Sequence, residues 1–111
     1  MAEHNHKPGR VVWKYRLELI DTHVMLFAPS TRFLAVGEQD DLRKPLALWV
    51  ELDPKEEVRE IKLHVVGTGQ RGRIAESWNY IGTVQMQTRP FAGLVWHLYW
   101  EAVPPEGFAH G

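Results

Sequence analysis

Apolar and polar residues alternate with a period of two through most of this chain, and no long stretch shows the helical period of about 3.6. From Val12 to Leu19, the side chains of Trp13, Tyr15, Leu17 and Leu19 fall on one face and Lys14, Arg16 and Glu18 on the other. That is how a half-buried strand reads. Asp21-Thr22 predicts a turn. His23 to Phe27 predicts a second short strand, stopped by Ala28-Pro29-Ser30. Arg32 to Gln39 is the third, with Phe33, Ala35 and Gly37 on one face and Leu34, Val36 and Glu38 on the other. Gly37 inside it points to a bulge or to the close approach of another backbone.

After the polar loop Gln39 to Pro45, Leu46 to Leu52 is nearly all apolar, as expected of a strand sheltered on both faces. Asp53 to Glu57 is a turn. Val58 to Val66 follows, with Ile61, Leu63 and Val65 inward and Glu60, Lys62 and His64 outward; its β-branched residues favour strand over helix. Gly67 to Arg73 is a glycine-rich loop. Trp78 to Gln87 and Gly93 to Trp100 predict the last strands, and Ile74 to Ser77 is compatible with a helical turn. In the final strand Val95, His97 and Tyr99 share one face, while Leu94, Trp96, Leu98 and Trp100 form the core-facing one.

About seven short strands with turns between them predict an all-β fold, an antiparallel β-sandwich or open barrel. Sequence neighbours usually pair, so a meander-like strand order is the default. Residues 1–10 read as a flexible polar arm, 11–103 as a single β domain and 104–111 as a flexible tail.

Composition narrows the picture. The 111 residues are 44% hydrophobic and 24% charged, as in a globular chain rather than a disordered one. There is no cysteine, which removes disulfides, thiolate zinc sites and cysteine nucleophiles. Acids and bases are interspersed and the formal net charge is −1, so binding to DNA through bulk charge is not expected. No apolar run approaches the roughly 20 residues of a membrane helix, and residues 1–10 lack an apolar signal segment, so a cytoplasmic, membrane-free protein is expected.

The richest candidate chemistry lies in Gly67-Thr68-Gly69-Gln70-Arg71-Gly72-Arg73. Glycines let backbone N–H groups face an anion, Thr68 adds a hydroxyl, and Arg71 and Arg73 add forked cationic donors. The spacing is neither a P-loop nor a dinucleotide fingerprint. A solvated strand connector is the plainer alternative. Trp78 and Tyr80 follow directly and offer stacking faces, the partner that a nucleotide site needs beside its phosphate donors, although core packing would explain them equally well. His97, flanked by aromatics, is a candidate polar contact or general base, with a structural histidine as the alternative. The binding set read from sequence is therefore Gly67, Thr68, Gly69, Arg71, Arg73, Trp78, Tyr80 and His97. No catalytic residue, metal site or cofactor is assigned: His23, His64 and His97 lie on separate strands, His4 and His6 sit in the polar arm, and no GxSxG or HExxH motif occurs.

Five short motifs occur in order: Trp13-Lys14-Tyr15, Leu48-Trp49-Val50 before Asp53-Pro54, Gly67-Thr68-Gly69, Tyr80-Ile81-Gly82-Thr83 and Val95-Trp96-His97-Leu98. The set resembles a family of small bacteriophage and prophage proteins, a domain of unknown function, over about Trp13 to Glu101. The resemblance implies a phage-type origin and brings no activity or catalytic residues with it. This chain is longer than that family pattern at its N-terminal arm and around Gln70 to Ser77.

Three readings follow. The first is a binding protein that captures a nucleotide-like host immune signal, working as a homo-oligomer in the cytoplasm of the infected host cell. The second is a protein–protein module that inhibits a host defence protein or serves in virion assembly. The third, ranked last, is a small hydrolase using His97 with a nearby carboxylate.

Overall fold

The computed structural model describes residues 9–104. Positions 1–8 of the expected polar arm, with His4 and His6, and positions 105–111 of the expected tail lie outside the described residues. Arg10, also assigned to the arm, is held in place: its guanidinium donates to the Glu51 carboxylate, to the Glu51 carbonyl at 3.1 Å and to the Ser30 carbonyl at 2.9 Å.

Seven strands form: β1 (Val11–Leu17), β2 (Thr22–Phe27), β3 (Arg32–Glu38), β4 (Leu46–Leu52), β5 (Arg59–Gly67), β6 (Asn79–Gln85) and β7 (Val95–Ala102). They pair antiparallel in a three-stranded sheet of order β1-β4-β3 and a four-stranded sheet of order β2-β5-β7-β6. The fold is thus all-β, and its sheets do not close into a barrel. Residues 74–77 form no helix; one turn there is closed by the Trp78 N–H donating to the Ala75 carbonyl at 3.0 Å.

Strand order departs from a simple meander. Only β3–β4 and β6–β7 pair with a sequence neighbour, while β1–β4, β2–β5 and β5–β7 pair across intervening strands. For β1–β4 and β2–β5 the reason lies in the two layers: the chain crosses between sheets from β1 to β2, from β2 to β3 and from β4 to β5, and a strand in the other sheet cannot pair with its predecessor; β7 instead inserts between β5 and β6 within one sheet.

The core follows from alternation. Leu46, Leu48, Val50 and Leu52 of β4 meet Ile61, Leu63 and Val65 of β5, Val84 of β6 and Leu98 of β7. Burying a side chain of this size stabilises by about 1.5–3 kcal/mol, so this cluster dominates the folding energy. Alternation breaks at two bulges. The first, between Phe33 and Ala35, turns both Phe33 and Val36 toward the core, where strict alternation puts them on opposite faces. The expected bulge in this strand therefore sits upstream of Gly37. The close approach at Gly37 comes from a side chain instead of a backbone: a Cβ there would lie 3.2 Å from the Trp49 ring.

The second bulge, between Tyr80 and Gly82, has two effects. It turns Gly82 inward, where a Cβ would stand 2.8 Å from Val36 Cγ2, so β3 and β6 can approach only through glycine. It also places Tyr80 and Thr83 together on the outer face of the four-stranded sheet, opposite Tyr99 and His97 of β7. Nearby, the Glu38 carboxylate accepts the N–H groups of Gln87 at 2.7 Å and Thr88 at 2.9 Å, tying the two sheets on this side. On the other side, β1 and β2 are edge strands with no further strand paired to them among the described residues.

Candidate functional site

The outer face of the four-stranded sheet carries a polar and aromatic cluster. Register puts His64 of β5 between Thr22 of β2 and Tyr99 of β7, and Tyr99 beside Tyr80 of β6. Along the same face, the Thr83 hydroxyl lies 2.9 Å from His97 Nδ1, Thr68 Oγ1 lies 2.8 Å from His97 Nε2, and the Tyr80 hydroxyl lies 2.5 Å from Thr83 Oγ1. A hydrogen-bonded chain thus runs Tyr80–Thr83–His97–Thr68, joining the second bulge to the glycine loop. Tyr80 is 59% exposed, and its ring meets that of Tyr99 edge-on at 5.5 Å.

A second network lies alongside. His64 was expected to face solvent with Glu60 and Lys62, and it does occupy that outward parity, yet it is only 5% exposed. The indole of Trp78 covers it. Beneath the indole, His64 Nε2 lies 2.7 Å from Glu101 Oε2 and Nδ1 lies 3.1 Å from Thr22 Oγ1. Both ring nitrogens are therefore satisfied, as a buried imidazole requires.

The glycine loop sits at one end of this face. Its N–H groups are partly occupied within the fold: Gly67 donates to the Gln70 side chain at 2.6 Å, Thr68 to the Val95 carbonyl at 3.2 Å and Gln70 to the Gly67 carbonyl at 3.1 Å. Gly69 and Gly72 have φ of 90° and 72°, left-handed conformations that glycine adopts without strain. The two arginines diverge. Arg73 donates to the carbonyls of Val65 at 2.8 Å and Asp21 at 3.2 Å, pairs with the Asp21 carboxylate at 3.7 Å, and lies 6.0 Å from the Trp78 ring centroid. It fastens the loop to the ends of β2 and β5. Arg71 is exposed, with no hydrogen bond or ion pair among the described residues.

Of the residues singled out from sequence, Gly69, Arg71 and Arg73 sit on the loop outside the lining of its concavity, and the other five fall into two groups. Gly67 and Thr68 rim a concavity of about 540 Å³ with Asp21, Gln70 and Trp96. Trp78, Tyr80 and His97 belong to the outer face, and Thr68 links the groups through its bond to His97. Thr22, His64, Thr83, Tyr99 and Glu101 complete the cluster. Of these, Tyr99 shared the face of His97 by alternation. The pairing of His64 with Glu101 joins strands β5 and β7, and no local spacing announces it. No group of three or more His, Asp or Glu side chains with metal-binding geometry occurs among the described residues.

A domain of unknown function, DUF7352, matches residues 8–107. No curated protein and no solved structure matches the chain.

Proposed function

The chain belongs to the DUF7352 family of domains, and we propose that it is a non-catalytic binding module that captures a planar, anionic, nucleotide-like ligand on the outer face of its four-stranded sheet. The observation that carries this reading is the Tyr80–Thr83–His97–Thr68 chain beside the exposed ring of Tyr80. A phenol face offers stacking to a base, and hydroxyls that both donate and accept can read its edges. Arg71, at the neighbouring loop and without an ion pair among the described residues, is a cation available to a phosphate. Arg73 has a different part, holding the loop in place. His97 has hydroxyls on both ring nitrogens and no carboxylate among its hydrogen-bond partners, which favours a ligand contact over a general base.

In the phage setting that the motif resemblance implies, the ligand is a nucleotide-type immune signal, sequestered in the host cytoplasm by a homo-oligomer. Calorimetry against a panel of cyclic and linear nucleotides tests the reading. Stacking on one ring is worth about 1–3 kcal/mol, so Tyr80→Ala is expected to weaken binding by about tenfold or more, with Arg71→Ala acting in the same direction. Folded protein that responds to none of the panel sinks the proposal.

A second reading, a protein–protein module, draws support from the edge strands β1 and β2. They expose Trp13 at 47%, Val24 at 60% and Leu26 at 62%, and free strand edges can pair with another chain. Capture of one defined host protein that survives both Tyr80→Ala and Arg71→Ala favours this alternative.

A further inference from the structure

At the end of the sandwich remote from the glycine loop, the two sheets part around a cavity of about 400 Å³. Its wall is built from the end of β2, the starts of β3 and β5 and the end of β7. Phe27, Phe33, Ile61 and Trp100 are among its apolar lining residues. The aromatic rings brace one another: Phe27 meets Phe33 edge-on at 5.5 Å, and Phe33 meets Trp100 at 5.3 Å. Apolar walls of this kind offer water few hydrogen bonds, so an apolar guest gains by replacing it.

Two polar features break the apolar lining. Thr31 belongs to the wall, and its Oγ1 is buried with no hydrogen-bond partner among the described residues. A native fold usually satisfies such a group, and rotation about its Cα–Cβ bond re-aims the hydroxyl. Arg59 also lines the cavity and stands opposite Phe27 in the β2–β5 ladder. It shares the inward parity of Ile61 and Leu63, so it lies on the core side of its sheet at the mouth, and among the described residues it has no hydrogen bond or ion pair. Glu60, the other charged residue of the wall, has the opposite parity and belongs with Lys62 on the outer face.

We propose that this cavity is a binding site for an apolar molecule with a single carboxylate head, a medium-chain fatty acid or aryl-alkyl carboxylate. The body lies against Phe27, Phe33 and Trp100, and the head meets the Arg59 guanidinium with the Thr31 hydroxyl as a further donor. A neutral guest fits the walls but leaves Arg59 without its counter-charge, so the anion is preferred. The site shares no residue with the outer-face cluster and stands or falls separately from the nucleotide reading.

The test is amide NMR of the full-length protein titrated with decanoate and, separately, decan-1-ol, both kept below the concentration at which they aggregate. Decanoate is expected to shift the amides of Thr31, Ile61 and Ala102 while leaving Thr83 and His97 unmoved, and to bind about tenfold tighter than decanol. Arg59→Gln, a change at an exposed position, is expected to erase that tenfold preference while decanol still binds. Ala102→Leu, which places bulk on the partly exposed wall, is expected to block both probes in a protein whose spectrum is otherwise native. Absence of shifts at the cavity residues overturns the proposal, as does an Arg59→Gln variant that keeps the preference for decanoate.

Discussion

The indole of Trp78 lies flat on the imidazole of His64, with ring centroids 3.6 Å apart and planes 6° from parallel. This contact explains how a histidine of outward parity becomes buried: the indole shields the imidazole, while its partner Glu101 keeps 27% of its side chain exposed. An aromatic pair is worth about 0.5–1.5 kcal/mol beyond the area it buries. Trp78→Ala is therefore expected to lower stability by about 1–3 kcal/mol in urea unfolding, with Trp78→Phe recovering part of the loss. Stability unchanged within error would mean that the stacked indole contributes nothing to holding His64 buried.

The approach of β6 to β3 depends on Gly82. A Cβ at that position would collide with Val36 Cγ2 at 2.8 Å. Gly82→Ala is expected to destabilise by about 1–3 kcal/mol through overpacking. Combined with Val36→Ala, which removes the colliding methyl, the loss is expected to be smaller than the sum of the two single changes. Strict additivity in the double-mutant cycle would place the cost of Gly82→Ala elsewhere.

Glu38 makes the tie between the sheets depend on pH. Hydrogen bonds from the backbone N–H groups of Gln87 and Thr88 hold its carboxyl below the usual glutamate value. A lowered value means that the unfolded state binds the proton first. The contribution is complete above the ordinary glutamate value and disappears as pH falls through the lowered one. Hydrogen-exchange protection of the Gln87 and Thr88 amides is expected to fall over that acid window, and Glu38→Gln is expected to reduce it already at neutral pH. Protection that Glu38→Gln leaves intact would show that the carboxylate is not the anchor.

His23 acts at higher pH. Burial pushes its imidazole below the ordinary histidine value, opposed by the Glu18 carbonyl at 2.9 Å from Nε2 and by the Glu18 charge. The folded state thus favours the neutral ring, with Nε2–H donating to that carbonyl. Stability from this group is whole above the ordinary value of about 6.5 and is lost as pH drops from there through the lowered folded value. An imidazole NMR titration is expected to give His23 a midpoint below the ordinary value. His23→Gln is expected to flatten the dependence of stability on pH just below the ordinary histidine value. A midpoint at or above the ordinary value contradicts the burial argument.

The amino-acid sequence by itself determined the strands and their inner faces, because both follow from period-two alternation and turn chemistry, which act between residues close along the chain. The buried run of β4 and the inward residues of β5 and β7 were legible in this way. Tertiary structure alone decided how strands are shared between two sheets, where alternation breaks and which polar groups meet. The bulge that sets Tyr80 beside Thr83 turns Gly82 toward Val36 of β3, and the strand glycine alone does not say which side chains the bulge brings together. His64 reads as a solvent-facing residue until Trp78, arriving from a loop, settles over it and Glu101 arrives from another strand. Arg73 reads as a free cation until the ends of β2 and β5 present their carbonyls to it. In each case the deciding energy is a contact between segments far apart in sequence, and such a contact exists only once the chain has folded.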